Sequence, residues 1–406
     1  MIRIGIVGCG RILAAHLRGY RLLREAGVDD FVITALTSRQ PADAVGYIDR
    51  AGGAPQRPAV SPIAGDPLAI AGEFISDFQD PSLVQVHSDY PALAASTDVD
   101  AVMDLTTHGM HHLVAAEVFS HRKHLLSQKP LAATMRAGRR MLDQADKAGV
   151  VFGTFECFRF MPQTLALDWL FRSGRVGTLQ MMLYGYLGSW WAPDQIVAGT
   201  PWRHCKDEGG GITVDIGVHF FDQMRSLAGR PTWITGRTRV LEPIRRSARE
   251  TIQADADDTV WASIEFDTGA MAQVSASWAG HGGPATIGSG SVFYGTKGKV
   301  DGTRLTLDDG AEADLIDLYR RESTECPILA GVDDWFALAQ HDWLEGIRQG
   351  RSPISSGEEG LMNLAASLAI LESDNVGRTV HFDEVWTGEV SSYQDSIDQR
   401  LGLKDR

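Results

Sequence analysis

Residues 2–23 read IRIGIVGCGRILAAHLRGYRLL, and the fold turns on them. Ile2–Val7 is a short, mostly apolar run rich in β-branched residues, Gly8-Cys9-Gly10 follows, and from Ile12 to about Leu23 apolar residues recur at helical spacing. Strand, glycine turn and helix in that order build a phosphate cradle. Glycines let a pyrophosphate come close, and the first N–H groups of the helix are free to bind it. Gly8, Gly10, Arg11 and Ile12 are therefore the first candidate cofactor contacts. Leu13 stands where a small third residue is usual, so the helix packs a little farther from its strand, or Ala14 takes part of that role. A bare G-x-G is weak evidence, but at a first strand it favours dinucleotide binding over a plain turn.

Moving outward, Phe31–Leu36 reads as the second strand and ends in Thr37-Ser38-Arg39. A carboxylate here would hold a ribose 2′-hydroxyl, whereas arginine suits a 2′-phosphate. No carboxylate is present, so Ser38 and Arg39 favour NADP over NAD, against the plainer reading of Arg39 as solvated. Residues 51–84 are rich in Pro, Gly and Ala and read as an insertion with short helices near Pro67–Glu73. Asp100–Leu105 reads as a buried parallel strand, with Asp104 an unexpected member. Thr106, His108 and His111 follow at its carboxyl end, where ligands sit in open α/β sheets, and are placed at the cofactor. His108, His111 and His112 have no carboxylate or thiolate at ligand spacing, so no metal is expected. A further strand, HLLSQ at His124–Gln128, stops at Lys129-Pro130 because proline cannot continue the ladder. That places the Lys129 amine at the same sheet edge as the glycine turn.

The whole chain of 406 residues is long enough for about two domains, and its 44% hydrophobic and 22% charged residues are those of an ordinary globular protein. A net charge of −14 offers phosphates no basic footprint, which excludes a general nucleic-acid binder. Cys9, Cys157, Cys205 and Cys326 show no C-x-x-C spacing, so neither a zinc cage nor a disulfide framework is expected. No apolar run reaches the roughly 18 residues that span a bilayer, and strand-like sequence at the start leaves no room for a signal peptide. A soluble, reduced, cytoplasmic protein is expected.

The second stretch that carries chemistry is Glu208–Asp222, EGGGITVDIGVHFFD. If it is helical, Asp215 and His219 stand at i and i+4 on one face, the geometry of an oriented acid/base pair. Gly209–Gly211 let the backbone pass close to whatever lies there. The plainer alternatives are a helix cap for Asp215 and a packed imidazole for His219.

Taken together, GIVGCGRI, DVDAVMDLTTHGMHH, KHLLSQKPLA and EGGGITVDIGVHFFD resemble the motifs of the Gfo/Idh/MocA family of NAD(P)-dependent oxidoreductases. The resemblance covers about Met1–Arg378. It implies a Rossmann domain followed by an α/β domain with a large, mostly antiparallel sheet, and it places Lys129, Asp215 and His219 around the nicotinamide and the reacting carbon. Three departures from the family pattern stand out: Gln128 replaces a glutamate that touches the nicotinamide ribose, Thr107-His108 replace Pro-Asn, and Leu13 replaces a small residue. All three lie on the cofactor side.

The expected domains are 1–150 for the dinucleotide, 151–334 for substrate and oligomerisation, helices in 335–386 returning to the Rossmann side, and a tail at 387–406. Val151–Met161 reads as the first strand of the second domain, delivering Glu156 and Arg159. Arg159 is a candidate substrate contact, with an ion-paired structural role as its rival. The segment SWWAPDQIVAGTPWR holds Trp190, Trp191, Trp202 and Arg203, and its aromatic rings suit the apolar faces of sugars as well as they suit a core. Trp191, Trp202 and Arg203 are the remaining substrate candidates. From Thr232 to Val300 strand-like runs alternate with turns, as in an antiparallel sheet. One face of that sheet needs cover, which points to a homodimer or homotetramer, as in relatives.

The activity expected is hydride transfer between a nicotinamide and a secondary alcohol of a sugar, cyclitol or related polyol. His219 is the base, Lys129 holds the alcohol oxygen, and Asp215 assists both. The rivals are an NAD-dependent glycosidase that oxidises its sugar transiently, and a non-catalytic dinucleotide sensor.

Overall fold

The computed structural model describes residues 1–52, 57–59, 61, 64–188, 193–282, 289–324 and 328–404. The chain forms two compact units. The first comprises Met1–Ala132, Ala137–Phe160 and Cys326–Gly360; the second comprises Ala133–Arg136, Met161–Glu325 and Leu361–Arg406.

In the first unit, β1 (Ile2–Val7), β2 (Phe31–Thr37), β3 (Gln85–His87), β4 (Ala101–Asp104), β5 (His124–Gln128) and β6 (Phe152–Phe155) form one sheet. Its order is β3-β2-β1-β4-β5-β6, and every neighbouring pair is parallel. The strands of a parallel sheet are covered on both faces, which is why β2 and β4 are apolar almost throughout. Ile4, Ile6 and Met103 share a core with Leu13, Leu17 and Tyr20 of helix Leu13–Glu25 and with Trp343 of helix Trp335–Gln349. Strand order reverses between β1 and β4, so the glycine turn after Val7 lies at the switch point.

One sequence expectation changes here. The run at Val151–Met161 does not open the second domain: β6 pairs in parallel with β5, Leu125 to Phe152 through Gln128 to Phe155, and is the last strand of the first sheet. A parallel pair needs a crossover of a dozen residues or more, and the chain between β5 and β6 supplies it. The insertion at 51–84 contains short 3₁₀ turns, including Pro67–Ala69 and Ile75–Asp77, and ends just before β3. That strand has three residues at the sheet edge, too few and too exposed to show a pattern.

In the second unit the strands are β7 (Leu179–Leu187), β8 (Pro231–Arg239), β9 (Ile244–Arg246), β10 (Thr251–Gln253), β11 (Thr259–Phe266), β12 (Met271–Ser277), β13 (Ser289–Gly295), β14 (Gly298–Asp301), β15 (Arg304–Leu307), β16 (Glu312–Asp314) and β17 (Val380–His381). Strands β9 and β10 pair with each other, and the other nine form a sheet in the order β16-β15-β14-β13-β7-β12-β11-β8-β17. It is antiparallel except where β7 meets β12. In β11, Val260, Ala262 and Ile264 are buried and Trp261 is 51% exposed, the period-2 pattern of a half-covered sheet. The buried face packs on helices Ile212–Asp215 and Gly217–Ala228. Met181, Leu183, Trp233, Trp261 and Met271 are exposed, and Met181 lies opposite Met271 in the ladder.

Beyond residue 334 the helices divide. Trp335–Gln349 lies in the first unit, whereas Gly357–Val376 belongs to the second from Leu361 on. The polar stretch at 387–404 is an ordered arm. Met135 N–H donates to Gln394 Oε1 at 2.8 Å, Thr134 Oγ1 donates to Asp398 Oδ1 at 2.7 Å, and Ile397 and Leu403 are buried. Among the described residues no helix is long and apolar enough to cross a membrane.

Candidate active site

On the first unit the site is built from the turn after β1. Gly8 has φ +98°, and a Cβ there would lie 2.8 Å from the Leu105 carbonyl oxygen, so only glycine fits. A Cβ on Gly10 would meet nothing within 4 Å, which leaves the open space a pyrophosphate needs. Tyr47 Oη donates to the Gly10 carbonyl at 2.9 Å and fixes the turn from the far side. Helix Leu13–Glu25 has no side-chain cap and no acidic residue in its first turn, so its N-terminal N–H groups favour an anion. These features fit a dinucleotide. Leu13 is fully buried in the core, the place a small residue would leave for close strand packing. Burial pushes the Cys9 thiol up to about 12, so it is no nucleophile.

Asp104, unexpected inside a strand, has a local task. Its Oδ1 accepts from Thr106 N–H at 2.9 Å and from Thr106 Oγ1 at 2.7 Å, fixing the turn at the end of β4. His111, expected at the cofactor, is fully buried. Its Nδ1 lies 3.1 Å from the Pro130 carbonyl and 3.2 Å from that of Leu131, and its Nε2 lies 3.3 Å from the Thr106 carbonyl. It ties the end of β4 to the segment after Lys129. His108 is buried too, and no group of residues able to hold a metal occurs among the described residues.

Gln128 ends β5 half-buried. Its amide nitrogen lies 2.9 Å from His16 Nε2, and its Oε1 accepts from Lys129 N–H at 3.1 Å. Burial pushes His16 down to about 3, so the imidazole is neutral and can accept from an amide donor that a carboxylate would lack. The replacement of glutamate by Gln128 is thereby matched by a partner 112 residues away. Sequence reasoning missed His16; the available signal was a lone histidine on the buried face of the first helix. Arg39 is exposed, Ser38 is half-buried, and the insertion adds Arg57, which pairs with Asp43 and acts electrostatically on Cys9 and Tyr47. Arg159, offered as a substrate contact, has Glu359 as an ion-pair partner at 3.4 Å.

The second unit carries the remaining candidate residues. Gly209 takes a left-handed conformation after the turn Lys206–Glu208, and a Cβ on Gly210 would lie 2.6 Å from the carbonyl oxygens of Trp202 and Arg203. The glycines thus let 202–203 and 209–211 lie backbone to backbone. Asp215 and His219 are both buried, but on two helices, Ile212–Asp215 and Gly217–Ala228, joined at Ile216. Arg203 Nε donates to Asp215 Oδ2 at 3.0 Å, and the Arg203 guanidinium stacks on Trp202 with its carbon 4.3 Å from the ring centroid. Arg203 and Trp202, expected as substrate contacts, therefore form one wall with Asp215. Trp190 and Trp191 lie outside the described residues. The last aspartate of the motif, Asp222, is structural: Asn363 Nδ2 donates to Asp222 Oδ1 at 2.9 Å, and Arg225 Nη1 donates to Asn363 Oδ1 at 2.6 Å.

Comparison with known proteins agrees with this geometry. Residues 69–155 match a family model described as an oxidoreductase family with an NAD-binding Rossmann fold, and residues 164–301 match the Gfo/Idh/MocA C-terminal domain. The chain is 26% identical over 292 residues to 1,5-anhydro-D-fructose reductase of Ensifer adhaerens, covering 72% of this chain and 82% of that protein. It is 28% identical over 295 residues to the NAD(+) scyllo-inositol 2-dehydrogenase of Bacillus subtilis, covering 70% and 78%. A solved levoglucosan dehydrogenase, in complex with NADH and levoglucosan, superposes with a TM-score of 0.71 at 20% identity, covering 94% of this chain and 99% of that one. With both family models matched in order, on a parallel six-stranded sheet followed by a mostly antiparallel one, the chain belongs to the Gfo/Idh/MocA family of NAD(P)-dependent oxidoreductases.

Proposed function

We propose that this oxidoreductase acts on a secondary alcohol, or the corresponding ketone, of a sugar, cyclitol or related polyol. The observation that carries the reading is one chain holding both a dinucleotide cradle at Gly8–Gly10 and a buried Asp215, ion-paired to the half-buried Arg203 and close in sequence to the buried His219. The names of the relatives, an anhydro-fructose reductase, an inositol dehydrogenase and a levoglucosan dehydrogenase, support that substrate class. Gly8, Gly10, Arg11 and the start of helix Leu13–Glu25 hold the cofactor phosphates, and Thr106, His108 and Gln128 line its nicotinamide half. When bound, the nicotinamide supplies the acceptor or donor of hydride. His219 takes the alcohol proton. Lys129 donates to the same oxygen and stabilises its developing charge. Asp215, held by Arg203, sets the field at the imidazole. The test is a screen of polyols and sugars with both cofactors. Absorbance at the nicotinamide wavelength that changes in proportion to product supports the reading, whereas product formed without net cofactor turnover would assign the chain to the transient-oxidation glycosidases.

NADP is the favoured cofactor. Arg39 after β2 and Arg57 near Cys9 and Tyr47 are guanidiniums suited to a 2′-phosphate, and Thr37-Ser38 offers no carboxylate to a 2′-hydroxyl. Arg39→Ala is expected to raise the Kd of NADP about tenfold and that of NAD less than twofold, as read by cofactor fluorescence; equal losses remove the preference.

The exposed face of the second sheet is the proposed self-association surface. Two tryptophans and two methionines are exposed on neighbouring strands, an apolar face that favours a homodimer or homotetramer. Trp261→Asp places a charge on that face. The expected outcome by light scattering is dissociation to the monomer with the far-ultraviolet spectrum unchanged.

A further inference from the structure

The glycine run before Asp215 leans on a residue that no motif marks. Ile212–Asp215 is one helical turn whose N-cap position is Gly211, at φ +112° and with no side chain to offer. Its partners come from Asp257, two residues before β11. Ile212 N–H donates to the Asp257 carbonyl at 2.9 Å, and Asp257 Oδ2 accepts from Thr213 N–H at 2.9 Å and from Thr213 Oγ1 at 2.6 Å. The other carboxyl oxygen, Oδ1, is buried with no hydrogen-bond partner, and a Cβ on Gly211 would lie 2.1 Å from it. A single turn is not stable by itself, because few of its backbone groups are satisfied internally.

We propose that Asp257 is the positioning residue of the Asp215–His219 segment, capping the turn that carries Asp215 and so fixing the backbone from which both side chains project. This rests on the acid–base reading given above. The charged and titratable neighbours are Asp258 beside it, itself paired with Arg245; Asp215 on the capped turn, paired with Arg203; His204, whose carbonyl accepts from Asp255 and Ala256; and Tyr393 of the C-terminal arm. Burial, with a smaller contribution from Asp258, pushes the Asp257 carboxyl up to about 6 despite the bonds from Thr213. A proton on Oδ1 leaves Oδ2 free to accept both bonds, so the cap survives protonation. Asparagine reproduces that neutral form, with its oxygen toward Thr213 and its amide toward Gly211.

The stability consequence has a definite sign. An acid whose folded value lies above its ordinary value of 3.8 binds its proton more tightly in the folded state. Its contribution is therefore complete below 3.8 and is lost as pH rises through about 6. The test compares Asp257→Ala and Asp257→Asn with the wild type. Asp257→Ala is expected to lower kcat roughly 10- to 100-fold by displacing the turn, to leave cofactor Kd within about threefold, and to speed amide exchange at 212–216 in the cofactor-free protein at least about tenfold. Asp257→Asn recovers most of kcat and the slow exchange, and its thermal midpoint rises relative to that of the wild type as pH goes from 4 to 7, because only the wild type loses the contribution of a protonated Asp257 over that range. Wild-type kcat or wild-type exchange in Asp257→Ala overturns the proposal, as does Asp257→Asn when it is as impaired as the alanine variant. Where the alanine variant does not fold, the asparagine variant decides: slow exchange with a midpoint that gains on the wild type as pH rises from 4 to 7 supports the proposal, and fast exchange overturns it. Full activity in His219→Ala would instead overturn the acid–base reading and leave the exchange result standing.

Discussion

His219→Ala is expected to lose roughly three orders of magnitude in kcat while binding cofactor within about threefold of wild type, because a general base contributes on the order of 10² to 10⁴ and does not hold the dinucleotide. Lys129→Ala is expected to lose about 10² to 10³ for a different reason. It removes a charge that stabilises the oxygen only as negative charge develops there, so kcat should fall more than KM rises. The neighbouring Lys129 N–H bond to Gln128 is made by the backbone and survives the substitution. Steady-state kinetics with cofactor titration checks both. Wild-type turnover in either variant would remove that residue from the mechanism, and turnover-deficient protein that still binds NAD(P)H would exclude a folding defect.

The second large effect concerns stability. Arg245 and Asp258 are both essentially fully buried, with Nη2 donating to Oδ2 at 2.9 Å. Asp258 also accepts from Leu241 N–H at 2.9 Å and from Glu242 N–H at 2.8 Å, and Arg245 Nε donates to the Glu242 carbonyl at 3.0 Å. Burial lowers the Arg245 pKa even with Asp258 beside it, so desolvation is the larger influence. Asp258→Ala leaves a buried guanidinium without its anion and two amides without an acceptor, and is expected to cost about 3–5 kcal/mol in denaturant unfolding. Arg245→Met in the same background should recover much of that loss, since an unpaired charge costs more than a missing pair. A loss below about 1 kcal/mol would show that water reaches the pair.

Much of the site could be read from the sequence because its signals are local. Ile2–Gly10 shows a strand and its glycine turn within nine residues, and β7, β11 and β12 show their alternation within single strands. The motif residues Lys129, Asp215 and His219 stand at fixed offsets from glycines and a proline that the chain displays openly. Assignments that depend on a partner were harder. His111 and His108 look alike in sequence, yet the three carbonyls that face His111 come from Thr106, Pro130 and Leu131. Arg203 reads as a substrate contact until Asp215 is found beside it, and the choice for Arg159 between substrate contact and structural ion pair stays open in the sequence because Glu359 lies 200 residues away.

The sequence by itself determined most of the longer strands and helices, the dinucleotide turn, the resemblance to the family and the three residues proposed for the chemistry, since each rests on spacing along the backbone. Tertiary structure alone decided that β6 closes the first sheet, that Gln128 rests on a neutral His16, and that the turn bearing Asp215 is capped by Asp257. The physical reason is the cost of burying polar groups. A buried amide, imidazole or carboxylate must find a partner, and the fold supplies that partner from whatever distant segment it brings alongside.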